Sequence, residues 1–170
     1  MTPLGRPGMV IGVGNGWRGD DAAGLEVVRR LRRLAPPPEV TIVEQEGEPA
    51  SLLDAWQGAD RVLVVDGVSS ESPPGTLHRF EAGDGPLPAQ FFRSSTHLLG
   101  LAEAVELARE LGRLPGSLAV YGIEGGSFDP GEGLTPAVQS AVERLAAEIR
   151  DELRDSEADG GRRAPSGAGA

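Results

Sequence analysis

The sequence predicts an α/β fold, a three-layer sandwich in which a mostly parallel, twisted sheet of about five strands is flanked by helices. Short apolar runs that are typical of strands alternate along the chain with helical patterns. The run at residues 61–66 (RVLVVD) is apolar almost throughout, as expected for a strand that helices cover on both faces. The chain of 170 residues is long enough for one domain of this kind.

The first half of the chain contains three predicted strands and two predicted helices. After the first strand, apolar residues recur at helical spacing up to Leu34, and the prolines at 36–38 end that helix. Arginines crowd its carboxyl-terminal end and two acids its start, as the helix dipole favours. The predicted strands are residues 9–13, 40–44 and 61–66, and the second helix covers residues 49–57.

The second half adds an edge strand at residues 76–80, a Gly- and Pro-rich connection at 81–92, and a last strand at 118–123. Ser95 or Thr96 is the expected N-cap of a helix that runs to Leu111 and places His97 in its first turn. A final helix is predicted from Pro136 to about Leu153. We expect a single domain at residues 1–154 and a flexible tail at 155–170, where the residues are small and polar.

Composition and charge exclude several classes of function. The formal net charge of −10 disfavours a nucleic-acid partner, since binding to phosphates requires clustered cations. The chain contains no cysteine, which excludes disulfides, thiolate metal sites and cysteine nucleophiles. The sequence shows no signal peptide and no run of the roughly 18 apolar residues that a membrane-spanning helix needs. We therefore expect a cytoplasmic protein without a membrane partner.

The glycine-rich loop after the first strand permits two interpretations. The frame that begins at Gly14 reads G-N-G-W-R-G and fits a dinucleotide fingerprint, but it is shifted into the loop. Glu44, at the end of the second strand, stands where such a site has its ribose-binding acid. The function of a dinucleotide-dependent oxidoreductase therefore stays open as an alternative. A phosphate-binding P-loop is excluded, because its motif is absent and the chain has no lysine.

Two acids and a histidine follow strand ends or begin helices. Asp20 and Asp21 could serve as a helix cap and a first-turn carboxylate, or Asp21 could point into the crevice at the strand end. Asp66 ends a buried strand, where it could be only a turn former, and His97 could be only a surface residue. Because the carboxyl ends of parallel strands share one edge, Asp21, Asp66 and His97 can converge there. Such a set suits Ni²⁺, Mn²⁺ or Zn²⁺.

Four segments, taken in order, resemble the [NiFe]-hydrogenase maturation endopeptidases: GVGNGWRGDDAAG, VLVVDGV, SSTHLLGL and YGIEGGSFDPGEGLTPAV. The resemblance extends from about residue 9 to residue 145. It implies an endopeptidase that removes a C-terminal extension from the hydrogenase large-subunit precursor after nickel insertion. It also implies that Asp21, Asp66 and His97 are the catalytic, metal-contacting residues, although some members have Glu in place of Asp21. The Ni²⁺ would then arrive with the substrate.

The resemblance leaves other questions open. Whether the metal ion polarises the scissile carbonyl or a carboxylate activates water is not decided by the sequence. Beside the site, Gly14 and Asn15 are candidates for substrate binding, with Asn15 orienting substrate backbone or water, or serving only as a turn residue. A non-catalytic chaperone that holds the precursor is a further alternative. A peptidyl-tRNA hydrolase-like enzyme would share the strand and G-x-G-N loop, but the charge and the absence of lysine argue against it.

Overall fold

The computed structural model describes residues 8–92, 100–131 and 133–162, with the side chains of the last helix described as far as Ser156. Its five strands form one sheet in the order β2-β1-β3-β5-β4, in which only β4 runs antiparallel to its neighbour. This confirms the predicted mostly parallel sheet and the edge position of the fourth strand. The strands are β1 Met9–Val13, β2 Thr41–Gln45, β3 Arg61–Val68, β4 Leu77–Glu81 and β5 Ser117–Glu124.

Two of the four helices differ from their predicted bounds. Helix α3 begins at Leu101, later than predicted, because Gly100 is its N-cap and donates its N–H to the Glu103 carboxylate at 2.9 Å. The predicted first turn around His97 lies outside the described residues. Helix α4 continues past the predicted end near Leu153, where Ser156 accepts a hydrogen bond from the Arg61 guanidinium. The helices are α1 Ala23–Arg33, α2 Pro49–Trp56, α3 Leu101–Glu110 and α4 Pro136–Arg162.

The sheet lies between two apolar layers, as the sequence predicts. Along β3, Val62 and Val64 pack on the side of α2 and α3, whereas Leu63 and Val65 pack on the side of α1 and α4. The alternation places successive side chains on opposite faces, and these four side chains are at most 2% exposed. Burial on both faces explains why the strand is almost uniformly apolar. The site described below lies at the carboxyl edge of this strand.

Helix α1 packs directly on the backbone of the sheet because two glycines face each other. A Cβ atom placed on Gly24 would lie 2.3 Å from the Val65 carbonyl oxygen and 2.4 Å from that of Val13. A Cβ atom on Gly12 would lie 2.3 Å from the Gly24 carbonyl oxygen. These distances are well inside van der Waals contact, so any side chain would push α1 away from β1 and β3. The close approach fixes the start of α1, and with it the turn that carries Asp21.

We expect Gly24→Ala to destabilise the protein by about 3 kcal/mol or more, because the added methyl group meets two backbone oxygens that cannot move aside. Urea denaturation followed by circular dichroism measures this loss. The matched control is Gly83→Ala, since a Cβ atom on Gly83 meets nothing within 4 Å. The control should change stability by less than about 1 kcal/mol. Equal stability of the two variants would contradict the close packing of α1 on the sheet.

Candidate active site

The carboxyl edge of the sheet brings Asp21 and Asp66 together. Asp21 lies in the 3₁₀ turn Gly19–Ala22, between β1 and α1, and Asp66 lies near the end of β3. The two segments pack closely, since a Cβ atom on Gly67 would lie 3.1 Å from the Asp20 carbonyl oxygen and 3.7 Å from the Asp21 Cα. Both acidic residues are buried, with exposed fractions of 4% and 7%. The crevice at a strand end is where open α/β sheets bind ligands.

Burial and mutual repulsion shape the electrostatics of this pair. Burial raises the pKa of Asp66 well above its ordinary value, and the nearby charge of Asp21 raises it further, against a hydrogen bond from the Gly67 backbone. Burial also raises the pKa of Asp21, although the charge of Arg18 and a backbone hydrogen bond from Asn15 lower it. Among the described residues neither carboxylate forms an ion pair. A bound cation would offset the repulsion between the two carboxylates when both are ionised.

The chemistry of the donor set fits a divalent ion, with one member of the predicted set outside the described residues. Two buried carboxylates offer oxygen ligands of the kind that first-row divalent metals accept beside imidazole. Within the described part of the chain, no group of three or more His, Asp or Glu side chains is placed to hold a metal ion. His97, the predicted third ligand, lies outside the described residues, as do Ser95 and Thr96. The three-residue site therefore stays a prediction.

Asp20 performs a different task from its neighbour. It is fully buried, and its carboxylate accepts hydrogen bonds from Gly126 N (2.7 Å), Ser127 N (3.0 Å), Thr135 N (2.8 Å) and Thr135 Oγ1 (2.8 Å). The N-cap residue of its own turn is Arg18, which makes no side-chain cap. All four partners are donors, as an acceptor-only carboxylate requires. Through these hydrogen bonds, Asp20 anchors the turn that carries Asp21 to the segment between β5 and α4.

Gly14 and Asn15 lie beside the site, and the structure shows which backbone contacts favour these residue types at the two positions. A Cβ atom on Gly14 would lie 2.0 Å from the Asp21 carbonyl oxygen, so only glycine fits at this position. The Asn15 N–H donates to the same carbonyl oxygen at 3.3 Å. The Asn15 side chain accepts a hydrogen bond from the Trp17 N–H at 2.9 Å, which is the turn role that the sequence also allowed. Substrate binding by Gly14 and Asn15 stays a prediction.

A fourth buried carboxylate, which the sequence did not reveal as important, stands at the end of β5. Glu124 is 2% exposed and accepts hydrogen bonds from the backbone N–H (2.7 Å) and hydroxyl (2.8 Å) of Ser70. Its other partner is His78 Nε2, at 3.2 Å. The His78 ring also contacts Phe80 and Phe91. This cluster holds the segment after β3 in place.

The comparisons with known proteins agree with one another. A family model described as hydrogenase maturation protease matches residues 25–152, which is well over half of the chain. The chain belongs to this family. It is 32% identical over 151 residues to the hydrogenase 2 maturation protease of Escherichia coli K12, covering 87% of the chain and 91% of that relative. It is also 32% identical to the hydrogenase expression/formation protein HupD of Thiocapsa roseopersicina, covering 81% of the chain and 67% of that relative.

Solved structures of maturation proteases share the fold. The chain is similar to the hydrogenase maturating endopeptidase HybD from E. coli with a TM-score of 0.72 and 26% identity, over 88% of the chain and 93% of that structure. It is similar to the [NiFe] hydrogenase maturation protease HycI from Thermococcus kodakarensis with a TM-score of 0.68 and 28% identity, over the same shares of each chain. These matches confirm the predicted fold class and the predicted family. They also confirm that the protein is an endopeptidase.

Membership of a maturation protease family removes the support for a dinucleotide-dependent oxidoreductase. The structure adds a physical reason, because Glu44 is already occupied. Its carboxylate accepts hydrogen bonds from Arg29 Nε at 2.9 Å and Arg32 Nη1 at 2.6 Å, and these contacts lower its pKa. Arg32 also donates to the Ile42 carbonyl oxygen and so covers the edge of the sheet. The arginines at the end of α1 therefore have partners beyond the helix dipole.

Membrane insertion finds no support in the described helices. None of them combines the length and the apolar character that crossing a bilayer demands.

Proposed function

We propose that this maturation protease removes the C-terminal extension of a [NiFe]-hydrogenase large-subunit precursor after nickel has been inserted. The observation that carries the proposal is the pair of buried carboxyl groups, Asp21 and Asp66, at the carboxyl edge of the sheet. Relatives named as maturation proteases of hydrogenases support the class of substrate. Processing inside the cytoplasm, as predicted from the sequence, is part of the proposal.

In this proposal the metal ion belongs to the substrate, and the protease recognises its presence. The two neighbouring carboxylates have no ion-pair partner in the described part of the chain, so they repel each other, and a divalent cation relieves that repulsion. A precursor that carries nickel would therefore bind with a favourable term that a nickel-free precursor lacks. His97, as a neutral imidazole, would supply the nitrogen ligand beside the two oxygens. Recognition of this kind delays cleavage until the metal is in place.

The same pair suits the hydrolysis of a peptide bond. A carboxylate whose pKa is raised by burial is a stronger base than an ordinary carboxylate, and it can accept a proton from water and return it to a leaving amine. Asp66 has the more strongly raised pKa of the two, so we assign it this proton transfer. Asn15 and Gly14 would contact the substrate backbone from the loop after β1. A cysteine nucleophile is excluded by composition.

The test uses the two histidines of the chain as a matched pair. We expect His97→Ala to lower the rate of peptide release from a nickel-loaded precursor by at least about 10²-fold. His78→Gln, which keeps a donor for Glu124, should retain the rate of the wild type. Mass spectrometry of the precursor measures the rate, and thermal unfolding shows whether each variant is folded.

Retained cleavage by folded His97→Ala protein would contradict the metal-recognition part of the proposal. Binding of the nickel-loaded precursor by the wild type, without any release of a peptide, would contradict the endopeptidase function. That second result would favour the chaperone alternative, in which the protein only holds the precursor.

A further inference from the structure

A cleft adjoins the candidate active site, and Gly16 and Trp17 lie on its wall. The cleft has a volume of about 490 Å³ and lies at the carboxyl ends of β1 and β2. One wall is the loop from Gly14 to Trp17, and the other contains Gln45, Glu46 and Ser51. The loop wall is continuous with the site, since Asn15 donates its N–H to the Asp21 carbonyl oxygen.

Trp17 exposes a large apolar ring from a loop that is held in place. Its side chain is 69% exposed, whereas Trp56, the other tryptophan of the chain, is 1% exposed. The Trp17 backbone is fixed on both sides, because its N–H donates to Asn15 Oδ1 at 2.9 Å and its carbonyl accepts from Gly131 N at 2.8 Å. An exposed indole on a backbone segment that is already held in place needs little further backbone ordering to bind, which suits an anchor at a protein interface.

Gly16, the residue before this tryptophan, has no structural reason to be glycine. Its φ is outside the positive range, and a Cβ atom placed on it would meet nothing within 4 Å. Gly14, two residues earlier, is glycine because the Asp21 backbone leaves no room. The space at Gly16 opens instead toward the cleft. A glycine there leaves the loop backbone accessible to another chain that approaches closely.

We propose that Gly16 and Trp17 form the docking surface for the precursor segment that adjoins the scissile bond. The occupant is an extended polypeptide, whose main chain passes over Gly16 and whose large apolar side chain packs on the Trp17 indole. The cleft is continuous with the candidate site, so it is the space that flanks a peptide bond held at Asp21 and Asp66. The inference rests on the proposed function and specifies how its substrate is held.

Steady-state kinetics with the nickel-loaded precursor tests the role of the indole. We expect Trp17→Ala to raise KM by about tenfold or more with kcat within about twofold of the wild type, because docking is lost and the chemistry is not. Trp17→Phe should recover most of the affinity. Gly16→Val should raise KM as well, with an unchanged melting temperature. The matched control is Leu111→Ala, which removes another exposed apolar side chain, next to the carboxyl-terminal end of α3.

Fluorine NMR of fluorotryptophan-labelled protein shows the contact directly, since the chain has only two tryptophans. Addition of the precursor should shift the Trp17 signal and leave the Trp56 signal in place. An unchanged KM for Trp17→Ala, with cleavage by the wild type intact, would overturn the docking surface and leave the proposed function standing. A Trp17 signal that shifts with protease concentration alone would also overturn it, in favour of a second copy of the chain. Absence of cleavage by the wild type would overturn the proposed function itself.

Discussion

Replacing Asp66 with asparagine should abolish processing and at the same time make the protein more stable. The amide keeps the shape of the side chain but removes a buried charge that repels the charge of Asp21. We expect the rate of peptide release to fall by at least about 10²-fold. The melting temperature at a pH above the folded-state pKa of Asp66 should rise by roughly 2–4 °C, which corresponds to about 1 kcal/mol for a chain of this size. A gain in stability with a loss of activity is typical of a functional site.

The stability gain should depend on pH in a defined direction. In the unfolded chain Asp66 titrates near its ordinary pKa of 3.8, whereas in the folded protein burial and Asp21 raise that pKa. Between the two values the folded state binds more protons, so the free energy of unfolding of the wild type falls as pH rises. Above the folded pKa it stays at the lower level. The free energy of unfolding of Asp66→Asn lacks this fall with pH. The stabilities of the two proteins should therefore differ least at acidic pH and most above the folded-state pKa of Asp66.

The matched control is Asp54→Asn, which makes the same chemical change on an exposed residue of α2. It should leave both processing and stability close to the wild type. If the Asp66→Asn variant still processed the precursor, Asp66 would have no role in catalysis or in metal recognition. If it lowered stability at every pH, the carboxylate would be a structural acceptor like Asp20 and not a strained functional group.

Replacing Asp20 with alanine should have the largest effect on stability. The variant removes the buried acceptor of four hydrogen bonds from Gly126, Ser127 and Thr135, and a hydrogen bond to a charged group contributes about 1.5–3 kcal/mol. We expect a loss of about 3 kcal/mol or more in the free energy of unfolding, measured by urea denaturation. This is a large share of the roughly 5–15 kcal/mol that holds a typical domain together.

Asp20→Asn provides a graded comparison. Three of the four hydrogen bonds converge on Oδ2, so the amide can place its oxygen there and lose only the bond to the Thr135 N–H. Its loss of stability should therefore be smaller than that of the alanine variant. Asp129→Ala, on the same segment, changes an exposed acid whose side chain accepts a hydrogen bond from the Ser127 hydroxyl, and it should cost less than about 1 kcal/mol. A similar stability for all three variants would contradict the proposal that the Asp20 hydrogen bonds anchor its turn to the segment between β5 and α4.

The elements that the sequence predicted well are those with a strong local pattern. The apolar run of β3 and the helical spacing of α1 indicated a covered parallel sheet, and the edge of that sheet placed Asp66 beside Asp21. The prolines at 36–38 ended α1 as expected. In each of these elements the local preference and the packing agree, and such agreement is what allows a fold to be inferred from one sequence.

The parts that the sequence missed depend on partners far along the chain. The donors to Asp20 lie 106 or more residues away, so no spacing rule could separate its role from that of Asp21. Glu124 gave no signal, because its partners Ser70 and His78 come together only through the pairing of β3, β5 and β4. The start of α3 was misplaced although Glu103, three residues after Gly100, was a readable cap signal.

We propose that this maturation protease cleaves a precursor only when nickel is present in it. The C-terminal mass of a cognate large-subunit precursor, with and without inserted nickel, can be measured after incubation with the purified protein. We expect a short C-terminal peptide to be lost from the nickel-loaded precursor and retained by the nickel-free one. Cleavage of both precursors at equal rates would contradict recognition of nickel by Asp21, Asp66 and His97.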